Sequence, residues 1–163
     1  SYHRHMTRLK NQGCDVAYYH DEIGYNYRLE GLQGAVLSVS LKYLPGWTAR
    51  RQEIGRRYER EITNPLIQMQ VHPVCTEPVY HLFVVQMEER DRFIRYMADQ
   101  GVECHRHYPV PCHLQKAYAH LGYGRGDCPN AERLAERCVT LPLFPEMRED
   151  EIARVIELCN GFR

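Results

Sequence analysis

The residues between positions 23 and 33 carry side chains suited to binding an anion. Asn26 offers both donors and acceptors, and Arg28 offers a planar cationic fork that matches phosphate or carboxylate. An apolar helical pattern begins at Leu29, so both side chains precede a helix start, where free backbone N–H groups also favour an anion. Gly24 permits backbone angles that are closed to other residues. The same residues are compatible with a polar loop that only caps a core helix, and the local sequence leaves both interpretations open.

A second group of polar side chains lies around a proline turn. His105 and His107 are two residues apart, so in a strand they project from the same face, and His113 can fold back across the turn. Three histidines and a water could hold zinc. The spacing lacks the helical H-E-x-x-H pattern, however, and no neighbouring carboxylate is evident as an outer partner. We predict no metal site and favour histidines that hydrogen-bond a substrate, with histidines of no functional consequence as the alternative.

No pattern in the chain predicts a catalytic nucleophile. There is no G-x-S-x-G sequence, and no cysteine has a recognisable local signature. The three lysines are Lys10, Lys42 and Lys116, and each has a polar or helical context that indicates exposure. None is placed at an apolar strand end, where desolvation would activate an amine for Schiff-base chemistry. We therefore predict no catalytic residue within this chain.

Composition excludes several classes of protein. The 163 residues suffice for one domain with a core, or a domain with an arm. Lys and Arg number 21, as do Asp and Glu, and this zero net charge argues against a nucleic-acid binder. No apolar run approaches the roughly 18 residues that span a bilayer, and no signal-peptide pattern is present. The seven cysteines are scattered without a C-x-x-C pair, so we expect reduced thiols and a cytoplasmic protein.

The elements that must position these side chains follow from periodicity. Residues 2–11 are helix-compatible, with Gly13 as a stop, and residues 29–62 form a long apolar-periodic helix that Pro45 and Gly46 should interrupt. Strands are predicted at residues 66–71, 79–87 and 102–108, and further helices at residues 89–100, 114–120, 129–138 and 149–159. The predicted fold class is α+β, a small antiparallel sheet flanked by helices and preceded by a long kinked helix.

Several motifs together resemble the DegT/DnrJ/StrS family of pyridoxal-phosphate (PLP)-dependent nucleotide-sugar aminotransferases. They occur in the family's order across nearly the whole chain, at residues 23–35, 41–44, 50–54, 80–85, 107–115, 118, 120–123, 131–132 and 141–147. The resemblance is to the C-terminal part of the family only. It implies the small C-terminal domain of a fold type I aminotransferase. Residues 1–28 would be an arm at the end of the large cofactor domain, residues 29–62 an interdomain helix, and residues 63–163 the small α+β domain.

The resemblance also implies roles for single residues. Asn26 and Arg28 match positions that reach across a homodimer to the cofactor phosphate of the other subunit. Tyr27 is expected to help line the same site, and His107, Tyr108 and His113 match a loop that lines the sugar-nucleotide pocket. The Schiff-base lysine is expected upstream of Ser1, so this chain alone should be inactive.

The implied reaction transfers an amino group from an amino acid, usually glutamate, to a keto-sugar linked to a nucleotide. PLP is the implied cofactor, and neither nucleic acid nor a membrane is an expected partner. Two alternatives stay open. One is a family member that uses PLP for sugar dehydration, and the other is a non-enzymatic module that binds a sugar nucleotide or a metal through His105, His107 and His113.

Overall fold

The computed structural model describes all residues from Ser1 to Arg163 and consists of two compact units, Ser1–Pro45 and Gly46–Arg163. The helices are α1 (Tyr2–Lys10), α2 (Gly31–Ser40), α3 (Leu44–Glu61), α4 (Arg90–Asp99), α5 (Pro129–Arg137) and α6 (Glu149–Gly161). The strands are β1 (Phe83–Gln86) and β2 (Cys138–Leu141). Helices beside a small antiparallel sheet are the α+β class that the sequence predicts. The domain divisions predicted after residues 28 and 62 concern a larger protein and stay a prediction.

The first unit is built on a backbone ladder between the end of α1 and the segment that follows Ile23. Gly13 ends α1 as predicted, with a φ of 76° and its N–H donating to the Arg8 carbonyl at 2.9 Å. Beyond it, the N–H of Gln12 donates to the Tyr25 carbonyl at 2.9 Å, and that of Tyr25 to the Leu9 carbonyl at 2.7 Å. The chain thus doubles back on itself before α2 begins.

The predicted long helix is two helices separated by a turn at residues 41–43. The interruption comes before Pro45, whereas the sequence predicts it at Pro45 and Gly46. Pro45 is instead the second residue of α3, where its missing N–H needs no partner and its fixed φ suits a helix start. The apolar stripe of α2 is exposed in this chain: Leu32 is 80 % exposed and Val36 58 %.

The sheet of the second unit is smaller than predicted. β1 and β2 pair antiparallel, with Phe83 opposite Leu141 and Gln86 opposite Cys138. Of the three predicted strands, residues 79–87 contain β1, while each of the others makes a single bridge, Gln68 to Gln86 and His105 to Thr140. The flanking segments are therefore extended chain beside the sheet. They contribute too few ladder hydrogen bonds to count as strands.

β2 is not among the predicted strands, and its first residue, Cys138, falls at the end of the helix predicted at residues 129–138. All four of its residues are buried, so the sequence shows no alternation of apolar and polar positions to mark a strand. The segment predicted as a helix at residues 114–120 is a pair of 3₁₀ turns, Cys112–Leu114 and Lys116–Leu121. Helices α4, α5 and α6 confirm their predictions to within two residues, because local signals such as Pro129 in the first turn of α5 mark their ends.

The core of the second unit is formed by buried side chains of α3, α4 and α6 together with those of β1 and β2. Tyr58, Phe93, Val85 and Ile152 are each no more than 1 % exposed, and burial of such side chains stabilises by about 1.5–3 kcal/mol each. The Tyr58 hydroxyl donates to the Pro142 carbonyl at 2.9 Å, and burial raises the pKa of this phenol far above its usual value. Among the helices, none combines the length and the apolar character needed to cross a bilayer.

Candidate functional site

Asn26 is held in place by the backbone on both of its sides. It forms an antiparallel bridge with Asn11, and the N–H of Tyr27 donates to the Lys10 carbonyl at 2.9 Å. Its exposed carboxamide makes no hydrogen bond within the chain. An amide that is fixed at its backbone and unpaired at its tip is available to a ligand.

Arg28 is oriented by Asn11, the residue that bridges to Asn26. One guanidinium nitrogen, Nη1, donates to the Asn11 carboxamide oxygen at 2.6 Å, and the side chain is otherwise exposed. Tyr27 stacks on Tyr25 with their ring centroids 5.1 Å apart and an angle of 11° between the planes. We call Asn11, Asn26, Tyr27 and Arg28 the anion cluster. No local signal in the sequence marks Asn11 as a member of this cluster.

Gly24 has a different role from the one predicted. Its φ is not positive, so its freedom of backbone angle is not what the structure uses. A Cβ atom at Gly24 would overlap the backbone of Gln12 and Gly13, and the glycine is needed because two chain segments approach closely. This close approach sets the ladder that carries Asn26.

The anion cluster fits the phosphate of the cofactor that the sequence implies. An amide N–H and a guanidinium are donors that phosphate oxygens accept, and both lie on exposed, well-anchored chain. Glu30 follows this segment and caps α2, and the Glu30 N–H donates to the Gln33 side-chain oxygen at 3.2 Å. The start of α2 therefore offers fewer free N–H groups to an anion than the sequence predicts. Lys10, Lys42 and Lys116 are all exposed, and none has the apolar setting of a Schiff-base lysine.

A second group of predicted site residues lies in the other unit and is held by β2. The Nδ1 atom of His107 lies 2.9 Å from the hydroxyl of Thr140, a residue that is 4 % exposed. The rings of His105 and His107 are 6.0 Å apart, and the ring of Tyr108, which is 71 % exposed, lies 5.2 Å from that of His107. The peptide bond between His107 and Tyr108 is cis. We call His105, His107, Tyr108 and His113 the histidine cluster.

His113 is paired with a carboxylate, Glu132, which no local signal in the sequence marks. Its Nε2 lies 3.0 Å from Oε1 of Glu132, and both side chains are about nine-tenths buried. The N–H groups of Gly126 and Cys128 also donate to Glu132, at 2.8 and 3.3 Å. These backbone hydrogen bonds, led by that from Gly126, together with His113 hold the pKa of Glu132 below its usual value. Glu132 is therefore ionised at neutral pH.

The side chains of the histidine cluster are not grouped as metal ligands are. No three His, Cys, Asp or Glu side chains anywhere in the chain are grouped so that they could hold an ion. His107 is turned to a hydroxyl and His113 to a carboxylate. The arrangement gives no support to the alternative of a metal-binding module and is suited to hydrogen bonding.

Comparison with known proteins gives consistent matches. A model of the DegT/DnrJ/EryC1/StrS aminotransferase family matches residues 1–160. The chain is 40 % identical over 150 residues to the erythromycin biosynthesis sensory transduction protein EryC1 of Saccharopolyspora erythraea. The aligned residues are 91 % of this chain and 41 % of EryC1. The chain is 38 % identical over 160 residues to the dTDP-3-amino-3,6-dideoxy-alpha-D-galactopyranose transaminase of Aneurinibacillus thermoaerophilus, covering 96 % of this chain and 43 % of that one.

The fold matches in the same way. The crystal structure of S. venezuelae DesV in complex with a ketimine intermediate superposes with a TM-score of 0.91 at 34 % identity, covering 97 % of this chain and 43 % of DesV. The chain thus spans about two fifths of the length of the relatives that it matches. The family resemblance noted in the sequence is confirmed: the chain belongs to the DegT/DnrJ/EryC1/StrS aminotransferase family.

Proposed function

We propose that this chain is the C-terminal portion of a PLP-dependent aminotransferase that converts a nucleotide-linked keto-sugar to an amino-sugar, with glutamate as the amino-acid donor. Family membership supports the reaction class, and relatives named as sugar transaminases support the substrate class. Within the chain, the observation that carries the proposal is the unpaired carboxamide of Asn26, whose backbone is anchored to Asn11, the residue whose side chain also accepts from the guanidinium of Arg28. PLP, when bound, carries the amino group between donor and acceptor.

The chain's own residues would orient the cofactor and the sugar. Asn26 and Arg28 donate hydrogen bonds to the PLP phosphate held by the other subunit of a homodimer, and Tyr27 lines the same site. His107, Tyr108 and His113 contact the sugar nucleotide. Thr140 fixes the ring of His107 through Nδ1 and leaves Nε2 without a partner in the chain. The amine that holds PLP comes from outside residues 1–163, because the three lysines here are exposed.

The first experiment measures PLP binding to the full-length protein. Asn26→Ala removes one hydrogen bond to a charged group, so we expect the Kd for PLP to rise about 10- to 100-fold. Asn26→Asp keeps the shape but places a negative charge against the phosphate, and it should bind PLP more weakly still. The matched control is Asn130→Ala, because Asn130 is an exposed residue of α5 that contacts only Arg133 through its side chain. Equal Kd values for all four proteins would contradict the proposal.

The second experiment tests whether the site is shared between subunits. Asn26→Ala protein is co-expressed with full-length protein whose Schiff-base lysine is replaced, and the mixed dimers are isolated with two affinity tags. Each parent homodimer should be inactive or weak, while the mixed dimer regains one site in which both residues are intact. No recovery in the mixed dimer would contradict a shared site. Mass spectrometry of the sugar product separates amination from the dehydration alternative.

A further inference from the structure

Three segments of the second unit converge on the carboxylate of Glu132. The His113 side chain comes from the 3₁₀ turn Cys112–Leu114, the N–H groups of Gly126 and Cys128 come from the loop before α5, and Glu132 itself lies in the first turns of α5. Oε1 accepts from all three donors, and Oε2 accepts a second contact from Gly126 at 3.1 Å. The backbone of Gly126 has a φ of 98°, which aims its N–H at the carboxylate and which a residue with a Cβ rarely adopts.

The ionised carboxylate decides how the proton of His113 is placed. A carboxylate only accepts hydrogen bonds, so Nε2 of His113 must carry the hydrogen that it shares with Glu132. In a neutral imidazole the other nitrogen then has a free lone pair. Nδ1 of His113 has no hydrogen-bond partner in the chain, although the side chain is only 9 % exposed.

An unprotonated Nδ1 can bind only a hydrogen-bond donor. Nδ1 cannot donate in this tautomer, so it would bind a hydroxyl and not a carbonyl or phosphate oxygen. His113 follows His107 and Tyr108 in the same loop, and the rings of those two residues are in contact. Sugar hydroxyls are the donors that the proposed substrate offers to such a loop.

We propose that Glu132 is a positioning residue that fixes His113 as the Nε2–H tautomer, so that Nδ1 accepts a hydrogen bond from a hydroxyl group of the sugar nucleotide. The inference rests on the proposed function for the identity of the ligand. The hydrogen on Nε2 follows from the contacts of Glu132 alone.

The test uses the full-length protein labelled with ¹⁵N-histidine. Two-bond ¹H–¹⁵N spectra distinguish a protonated from an unprotonated ring nitrogen, and His113→Gln identifies the signal. We expect Nε2–H in the wild type and a mixture of tautomers in Glu132→Gln, because an amide offers one acceptor oxygen to three donors. The matched control is Glu136→Gln, an exposed residue of α5 that pairs only with Arg125. A wild-type Nδ1–H tautomer, or no change in Glu132→Gln, would overturn the inference.

Half-reactions separate positioning from simple loss of structure. Glu132→Gln should raise KM for the keto-sugar nucleotide about three- to tenfold, the worth of one neutral hydrogen bond, and leave the half-reaction with glutamate unchanged. Equal loss in both half-reactions would mean a structural role and reject the proposal.

His113→Gln provides the second variant. Its amide can still contact Glu132 but lacks an acceptor at the position of Nδ1, so it should keep the Tm of the wild type and share the raised KM. A wild-type KM in this variant would reject contact with a sugar hydroxyl. If the wild type turns over no keto-sugar nucleotide, the proposed function fails, while the tautomer measurement still decides the role of Glu132.

Discussion

Gly24 lies against Gly13 so closely that a Cβ atom built on Gly24 would be 2.1 Å from the Gly13 nitrogen. Gly13 is constrained as well, since a Cβ atom built on it would overlap the carbonyl group of Glu22. Both obstacles are backbone atoms, which cannot rotate away as a side chain can. The ladder that anchors Asn26 therefore depends on two glycines that meet across it.

Gly24→Ala should open this ladder without unfolding the second unit. Overpacking costs about 1–3 kcal/mol, so we expect the amides of Gln12, Tyr25 and Tyr27 to exchange about 10- to 100-fold faster. Gly31→Ala is the control, because nothing lies within 4 Å of a Cβ at that position. Hydrogen–deuterium exchange with mass spectrometry gives the measurement, and unchanged protection in Gly24→Ala would refute the close contact.

Gly55→Ala should destabilise the second unit through a different contact. A Cβ there would lie 2.7 Å from the ring of Tyr80, which is held by a hydrogen bond from its hydroxyl to Glu59. We expect a loss of about 1–3 kcal/mol in the free energy of unfolding, measured by urea titration. Gly46→Ala in the same helix has open space around its Cβ and should be neutral or stabilising by up to about 1 kcal/mol. The same result for both variants would contradict the prediction.

Arg51→Lys should weaken the hydrogen bonds by which α3 holds the chain at residues 80–81 and at residue 143. The Nη1 atom of Arg51 lies within hydrogen-bonding distance of the Tyr80 and His81 carbonyls, at 3.2 Å each, and of the Leu143 carbonyl at 3.1 Å. A lysine keeps the charge, but its side chain is one atom shorter, so its ammonium cannot occupy the position of Nη1, and we expect a loss of about 1–2 kcal/mol. Arg56→Lys is the control, since Arg56 is exposed on the same helix. Equal urea midpoints for the two variants would show that the carbonyl contacts contribute nothing.

Stability should fall in alkali partly through Tyr80. Burial, and then its hydrogen bond to Glu59, raises the pKa of Tyr80 from 10.0 to about 12. The folded state therefore holds this proton more tightly than the unfolded state, so the contribution of Tyr80 is complete below pH 10 and is lost as the pH rises towards 12. We expect about 1–2 kcal/mol from this residue, seen as a shallower decline above pH 10 in Tyr80→Phe than in the wild type.

Two buried thiols should also lower the stability in alkali, and they do so in the wild type and in Tyr80→Phe alike. Burial raises the pKa of Cys104 and of Cys159 from 9.0 to about 12, so their contribution begins to fall near pH 9. Urea titrations at closely spaced pH values should therefore show an onset near pH 9 in both the wild type and Tyr80→Phe. Identical slopes for the two proteins above pH 10 would exclude Tyr80 as a contributor.

The sequence predicts the parts of the fold that are marked locally. α5 has Pro129 in its first turn, and α6 has acidic residues in its first turn, so both helices are found at the right place. β2 has no such mark, because its pairing with β1 buries all of its side chains and removes the alternation that identifies a strand. The turn at residues 41–43 was missed because proline was expected to break a helix that it instead begins.

Some residues of the candidate site were identified from the sequence, whereas their hydrogen-bond partners were not. Asn26, Arg28 and His107 were identified by family resemblance, and the structure gives each an anchored backbone or a partner. The partners themselves were not predicted, since Thr140 lies 33 residues from His107, Glu132 lies 19 from His113 and Asn11 lies 17 from Arg28. Only the folded chain brings such distant residues within hydrogen-bonding distance.

The pairing of β1 with β2 has a consequence for how the second unit folds. Phe83 meets Leu141 and Gln86 meets Cys138, so pairing the two strands closes a loop that contains α4, the 3₁₀ turns and α5. Closing so long a loop carries an entropic cost that no local hydrogen bond offsets beforehand. Helix α4 can form early, whereas Thr140, which orients His107, takes its place late. The histidine cluster should therefore be among the last features to mature during folding.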